Sequence, residues 1–464
     1  MTYDVAIIGG GISGLTAAYD LMRQGHKVIL LERQQVVGGN AMSQRIDGFL
    51  MEHGPTTLNA MVPQALQLSN DLDIADQQVD LGKAIAKRYL LDGKNLHGIN
   101  INPSGFLTSP YLSIKGRVSL MTEMFRSAKT NNAEETVHQF ATRRFGKEFA
   151  DKVMDPLAAG MFGGDANQLS MQACFPTLLA MEQTHGSITK GVISAKKGNE
   201  PAKRLFSFRN GVGTVPTALA GLLGDAILTG VMVRNVQPTL TGYKVRTHKH
   251  GTIDAKSVVL AVQPHVASQL LEPLDETSAS ITSQIDAPAM SVVFFAYKRS
   301  QVEHKLDSLG FMSVKNNSNI ITGAQFFSTM FENRAPEGFV SIAAYVGGAR
   351  NRDIAMSPTN ELIDQVHREL SSVLQIKGAP VLARCRQWAR SLPQYGLGHV
   401  ERVKELQTLN DRMAGLFLTG NYLTGVSVAN CIGQARCVAV EVDRHLKQKS
   451  TPMTNIGMPK FVSS

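Results

Sequence analysis

Cysteine, tryptophan and charge are all scarce: 464 residues hold four cysteines and one tryptophan, and charged residues make up 18% of the chain. Cys174, Cys385, Cys431 and Cys437 include no Cys-x-x-Cys pair and sit among apolar or small neighbours, which excludes a disulfide framework and a zinc site. A reducing compartment is therefore expected. No uninterrupted apolar run approaches the roughly 18 residues needed to cross a bilayer, so a meeting with a membrane would be confined to its surface. The opening MTYDVAIIGG has no basic stretch and carries Asp4, so it reads as a buried strand rather than a secretory leader.

What is present is glycine, at 41 residues, and a hydrophobic share of 43%, which together exclude disorder and place the chain among ordinary globular proteins. At about 150 residues per domain, the length allows about three domains, or two with one split along the sequence. Lys and Arg number 47 against 38 Asp and Glu, a formal charge of +9. Three kinds of anion fit that charge: nucleic acid, an anionic membrane surface, or a small substrate bearing carboxylates or phosphates. No nucleic-acid-binding motif appears, which leaves the last two. The twelve histidines are scattered, and His248 and His250 alternate along an expected exposed strand, so no metal site is expected.

The first sixty residues carry the sharpest local signal. Asp4 to Ile8 is a short apolar run ending in GGGISG, followed by an amphipathic stretch that Gly25 stops; a second run, Lys27 to Leu31, ends at Glu32. Strand, glycine turn, helix, strand and acid in this order describe a dinucleotide-binding unit. Gly9 permits the tight turn, Gly11 lets a pyrophosphate approach the backbone beside Ile12 and Ser13, and Gly14 lets helix pack on strand. Glu32, with Arg33 after it, is placed to bond a ribose hydroxyl.

Behind the acid come the pair Gly38 and Gly39 and then GFLMEHGP, residues 48 to 55. This arrangement resembles the flavin amine oxidase superfamily, whose members hold FAD. The resemblance implies that Gly38 and Gly39 flank the diphosphate and that Gly54, Pro55, Thr56 and Thr57 run beside the flavin ring. Asn40 stands where many relatives carry a basic residue. The segment Phe140 to Leu178, with RRFG, DP, AG, GD, LSM and FP in order, is similar to the protoporphyrinogen oxidase family pattern. So are KRYLLDGK (87–94), ENRAPEG (332–338), YVGGARN (345–351), SLPQYGLGH (391–399) and GNYLTGVSVANCIGQA (420–435).

The last of these blocks also has a physical reading. An apolar strand stops at Gly420, and a helix begins soon after; amides at a helix start stabilise the anionic edge of a reduced flavin, which selects Gly425, Val426, Ser427 and Val428 as contacts. Val233, in the strand-like run 231–236, is placed against the adenine by the resemblance. Trp388 reads equally well as an aromatic edge beside the ring or as ordinary core.

The resemblance implies an α/β, two-domain FAD flavoprotein. Its FAD domain, Rossmann-like and discontinuous, is expected over 1–82, 191–285 and 386–448. A helical, substrate- and membrane-facing insertion is expected over 83–190, a mixed-sheet substrate domain over 286–385, and a tail over 449–464. The implied reaction is oxidation of protoporphyrinogen IX to protoporphyrin IX with O2 as acceptor, giving H2O2. Coproporphyrinogen III, or an amine or secondary metabolite, are the alternative substrates, and a non-catalytic flavin-binding scaffold is the alternative class. Arg88 matches the family's partner for a propionate, a task that suits a planar guanidinium. Gly160 matches the glycine whose backbone lies near the reacting carbon. Met312, Gln325 and Tyr345 fall where relatives sandwich the rings with apolar or aromatic side chains, and Gln325 departs from the usual leucine-like residue. RNGVGTVP (209–216) also departs from the usual second glycine and glutamine-like residue.

Residues 109 to 130 mix Leu112, Val118, Met121 and Phe125 with Lys115, Arg117, Arg126 and Lys129. They are expected to form one helix with an apolar face and basic flanks, suited either to an anionic bilayer surface or to core packing. A cytoplasmic, peripheral location on the inner face of the membrane and a homodimer follow from the resemblance alone.

Overall fold

The computed structural model describes residues 2–100, 105–131, 133–197, 204–315 and 319–450. Residues 451–464, most of the expected tail, lie outside them. The polypeptide builds two seven-stranded sheets and a helical segment.

The first sheet has the order Ile227–Leu228, Val28–Leu31, Thr2–Ile8, Thr252–Leu260, Gly242–Thr247, Val233–Thr239, and Leu416–Leu418 also pairs with Thr252–Leu260. Thr2–Ile8 runs parallel to both Val28–Leu31 and Thr252–Leu260. Val28–Leu31 is buried throughout, as a strand covered on both faces must be. One face packs against Ile12–Arg23, Thr214–Leu223 and Val428–Ser450 through Leu15, Leu219 and Ile432. Pro264–Leu271, Glu276–Ser283 and His399–Gln407 cover the other through Leu270, Ala279 and Val403.

The second sheet has the order Leu382–Trp388, Met290–Lys298, Phe339–Gly347, Ile321–Gln325, Ser308–Ser313, Lys87–Asp92, Asn95–Asn100. It is antiparallel except for the parallel pairing of Ser308–Ser313 with Lys87–Asp92, so it is mixed as expected. Helix Thr359–Leu374 lays Leu362, Val366, Leu370 and Leu374 on one face, a spacing of four residues that keeps them on one stripe. The other face packs against strand Phe49–Glu52, through Phe49 and Met51, and against helix Asp155–Phe162.

Those helices are Val137–Phe145, Asp155–Phe162, Pro176–His185 and Ile188–Lys197, with a π-helical turn over Ala150–Met154. Phe140, Met154 and Phe162 form their core. Arg144 is fully buried and pairs with Glu123, whose carboxylate also accepts from the amides of Ile188 and Thr189 at 3.0 Å.

Strand pairing redraws three expected boundaries. Residues 87–100 belong to the second sheet rather than to a helical insertion; residues 386–388 end that sheet's edge strand; and a boundary at 190/191 would cut helix Ile188–Lys197. The single helix expected over 109–130 is a correction too. Tyr111 and Leu112 are core residues, Ser113 caps a helix of only Ile114–Met121, and a 3-10 turn, Thr122–Phe125, follows. Glu123, within that turn, points inward to Arg144. His248 and His250 lie in the turn after Gly242–Thr247, not along a strand, and both are exposed.

Candidate cofactor and substrate site

The first strand ends at Gly9, whose φ of +110° needs glycine; a side chain there would collide with the Ala261 carbonyl. A side chain at Gly14 would collide with the Gly9 carbonyl. At Gly11, by contrast, nothing lies within 4 Å of where a Cβ would be. The turn is thus closed at two glycines and open at the one that faces outward from the start of helix Ile12–Arg23, the arrangement a diphosphate needs. Ile12 and Ser13 are buried in that first turn.

Glu32, half-buried at the end of Val28–Leu31, accepts from the Gly10 amide at 2.6 Å and the Gln34 amide at 2.7 Å, which fixes its carboxylate beside the glycine turn. Arg33 is exposed. The Gly38 amide donates to the Gly10 carbonyl at 2.8 Å, and a Cβ on Gly39 would stand 3.3 Å from the Gly11 Cα, so the two glycine clusters form one wall. Val231 donates to the Glu32 carbonyl at 2.8 Å, bringing Val233 alongside.

The hairpin Ser43–Ile46 and Phe49–Glu52 delivers the next stretch, Gly54, Pro55, Thr56 and Thr57. Trp388 donates its indole N–H to the His53 carbonyl at 2.8 Å and lies under the Arg386 guanidinium at 4.3 Å, so it ties the edge of the second sheet to this loop. At the far end, Gly420 has a φ of +150° and Gly425 one of +133°. Tyr422 and Leu423 anchor the loop between them in the first sheet's core, Val426 packs against the helical core, and Ser427 caps helix Val428–Ser450 by accepting from the Asn430 amide at 3.1 Å.

The substrate-side residues meet on one face of the second sheet. Leu90 pairs with Met312, Met312 with Gly323, and Gly323 with Tyr345, a row of directly opposed residues across four strands. Alternation puts Arg88 and Gln325, each two positions along its own strand, on that same face. The Tyr345 hydroxyl donates to Gln325 Oε1 at 2.7 Å. Helix Asp155–Phe162 lies over the row: a Cβ on Gly160 would stand 2.9 Å from Met312 Sδ, so a larger residue there would have to push the flexible Met312 side chain aside. Arg350 holds that helix down, pairing with the Asp155 carboxylate at 2.5 Å and donating to the Ser313 carbonyl at 3.2 Å. Arg88 is exposed at the end of the row.

A model of the family described as "Flavin containing amine oxidoreductase" matches residues 12–443. The chain belongs to that family. Spinach (Spinacia oleracea) chloroplast protoporphyrinogen oxidase 1 is 30% identical, over 96% of this chain and 85% of its own length. Coproporphyrinogen III oxidase of Bacillus subtilis (strain 168) is 25% identical, over 95% and 98%. Among solved structures, a protein from Exiguobacterium sp. 255-15, provisionally named a protoporphyrinogen oxidase, superposes with a TM-score of 0.83 at 21% identity, covering 95% of this chain and 98% of that one; the likeness concerns the fold.

The flavoenzyme's cofactor is FAD. The residues fit it: Gly11 is open at a helix start, Gly38 and Gly39 pack against the same turn, and Glu32 stands at its edge. Among the described residues no group of His, Cys, Asp and Glu could hold a metal ion, and no helix is long and apolar enough to cross a membrane.

Glu52 escaped the sequence reading. It is 1% exposed, accepts from the Ser43 hydroxyl and, at 3.1 Å, from the Val212 amide, and burial pushes its carboxyl up to about 7 against those bonds and the nearby Arg334. The signal was its place in Glu-x-Gly-Pro together with RNGVGTVP, since the second segment supplies the Val212 amide and the Gly213 amide that donates to Ser43 at 2.8 Å. Arg350 was likewise missed, although YVGGARN contains it.

Proposed function

We propose that the enzyme oxidises protoporphyrinogen IX to protoporphyrin IX, with O2 as the acceptor and H2O2 as by-product. The supporting observation is the row of Leu90, Met312 and Tyr345 with Arg88 and Gln325 on the same sheet face, roofed by Gly160. A sheet face that joins apolar residues to the Gln325–Tyr345 pair, with one guanidinium at its end, suits a flat, largely apolar macrocycle that carries carboxylates on one edge. The names of the relatives support the same substrate class.

FAD supplies the hydride acceptor when bound. The chain's own part is placement. Arg88 holds a propionate, Met312 and Tyr345 bound the ring plane, and the missing side chain at Gly160 lets a meso carbon come close to the helix backbone. Burial raises Tyr345 above the ordinary tyrosine range, so it stays protonated and orients rather than abstracts a proton. The pyrrole proton leaves to solvent through the Arg88 end. Enclosure by Asp155–Phe162 keeps bulk water from the reacting carbon.

The test mixes the purified yellow protein, in air, with protoporphyrinogen, coproporphyrinogen and a panel of amines, following porphyrin fluorescence and peroxide. Protoporphyrin above the autoxidation rate is expected; none from either macrocycle refutes the proposal, and bleaching of the flavin by an amine replaces it. Coproporphyrinogen III is the second reading, favoured by the polar Gln325–Tyr345 pair where an apolar wall would suit protoporphyrinogen better. Arg88→Ala should raise KM for the porphyrinogen about tenfold or more, the worth of one charge-assisted contact, with FAD content unchanged.

The same reading places the enzyme at an anionic bilayer surface. Ile114, Val118, Met121 and Phe125 are 74, 53, 61 and 81% exposed, and Lys115 stands beside them. Four large apolar side chains at helical spacing turned to solvent suit interfacial insertion. A cytoplasmic, inner-face location and a homodimer complete the reading, the latter decided by sedimentation.

A further inference from the structure

Tyr395 lies in SLPQYGLGH, outside both the glycine turn and the substrate row, and is 1% exposed. Its hydroxyl makes two hydrogen bonds to the loop that precedes helix Val428–Ser450: it donates to the Asn421 carbonyl and accepts from the Gly425 amide at 2.9 Å. One hydroxyl therefore spans the loop, holding its two ends at a fixed separation. The ring itself is held from behind. His399 stacks on it with centroids 4.0 Å apart and planes within 13°, and Phe162 approaches at 6.2 Å. Its backbone carbonyl accepts from the Ser170 amide at 2.7 Å, and the Gly398 amide donates to Glu134 at 2.5 Å. His399 is 2% exposed, and burial pushes its imidazole down to about 4, so the stack stays neutral at physiological pH. Burial likewise raises the Tyr395 hydroxyl, which remains a donor.

Gly425 depends on this support. Its φ of +133° lies outside the range of ordinary residues, and a side chain there would collide with Asn430. Glycine adopts that conformation without strain, so the direction of the amide is set by its hydrogen-bond partner, and Tyr395 is that partner. We propose that Tyr395 is a positioning residue for the cofactor: by bridging Asn421 and Gly425 from a stack anchored in the helical segment and on His399, it sets the loop residues 424–427 that bound the flavin edge. The inference rests on the reading that this loop contacts the flavin.

Tyr395→Phe keeps the stacked ring and removes both hydrogen bonds. In the holoenzyme, FAD dissociation, the shape of the flavin absorption band and the flavin reduction potential are measured, with the melting temperature of the FAD-free protein as the check on folding. FAD binding should weaken about tenfold or more, with a changed band and potential, while the FAD-free protein still folds and its melting temperature falls only by what two lost internal bonds cost. Unchanged FAD affinity, band and potential would overturn the proposal, as would a Tyr395→Phe chain that no longer folds, because the tyrosine would then belong to the core alone. Gly425→Ala separates the two layers of the argument. If it loses FAD while Tyr395→Phe does not, the loop bounds the flavin and the bridge is idle; if neither loses FAD, the loop reading itself is wrong.

Discussion

Glu52 shows how much one residue can carry. Its carboxyl is sealed in the hairpin that presents Gly54 to Thr57, and it ionises near 7 when folded, against 4.5 for an ordinary glutamate. The folded protein therefore holds a proton that the unfolded chain releases. The stability this contributes is complete below about pH 4.5 and is lost as pH rises through 7. A difference of about 2.5 pH units, at about 1.4 kcal/mol each, amounts to about 3 kcal/mol. Denaturant titrations of the wild type and Glu52→Gln at pH 5 and pH 8 should show the wild type losing about that much more than the variant; parallel losses would mean that Glu52 stays ionised throughout. This residue was invisible as a buried acid in the sequence because its burial depends on Ser43, Val212 and Arg334, which only the fold gathers.

At the scale of elements, local signals were readable and distant ones were not. The glycine turn, helix Ile12–Arg23 and Glu32 follow from spacing within a short stretch, and the structure assembles them that way. Residues 109–130 were misread because their apolar periodicity is shared between two destinations: Leu112 goes to the core, while Val118 and Phe125 go to solvent. Gly116, the buried residue of the short helix, seats it on Glu148, which a side chain there would strike and which also accepts from the Ser113 amide at 3.0 Å. The short helix that results exposes a row rather than a full face. If that row seats on a bilayer, Val118→Glu with Phe125→Glu should cut binding to vesicles rich in phosphatidylglycerol at least about tenfold, given roughly 25 cal/mol per Å² of apolar surface, with catalysis on detergent-solubilised substrate intact. Equal sedimentation of both proteins with the vesicles would remove the membrane role.

Across the whole molecule, the proposed cofactor site takes its walls from residues near 10, 32, 38, 54, 231 and 425, so cofactor binding and folding are linked. FAD bound tightly to the folded chain alone raises stability by roughly 4 kcal/mol at a thousandfold excess over its dissociation constant. Stripping it should lower the melting temperature by several degrees, restored on adding FAD back; an unchanged melt would mean that FAD does not bind the folded chain in preference to the unfolded one. The substrate face could not be read from sequence spacing because its members are joined by strand register, not by chain order. The parallel pairing of Lys87–Asp92 with Ser308–Ser313 has a consequence for synthesis. The hairpin over 87–100 leaves the ribosome early, with one edge open, and its partner strand is made only after the helical segment and most of the first sheet. Until then that edge is a site for wrong pairing between nascent chains. The order of synthesis thus leaves this hairpin waiting for its partner for much of translation, whereas a strand paired with a chain neighbour is covered at once.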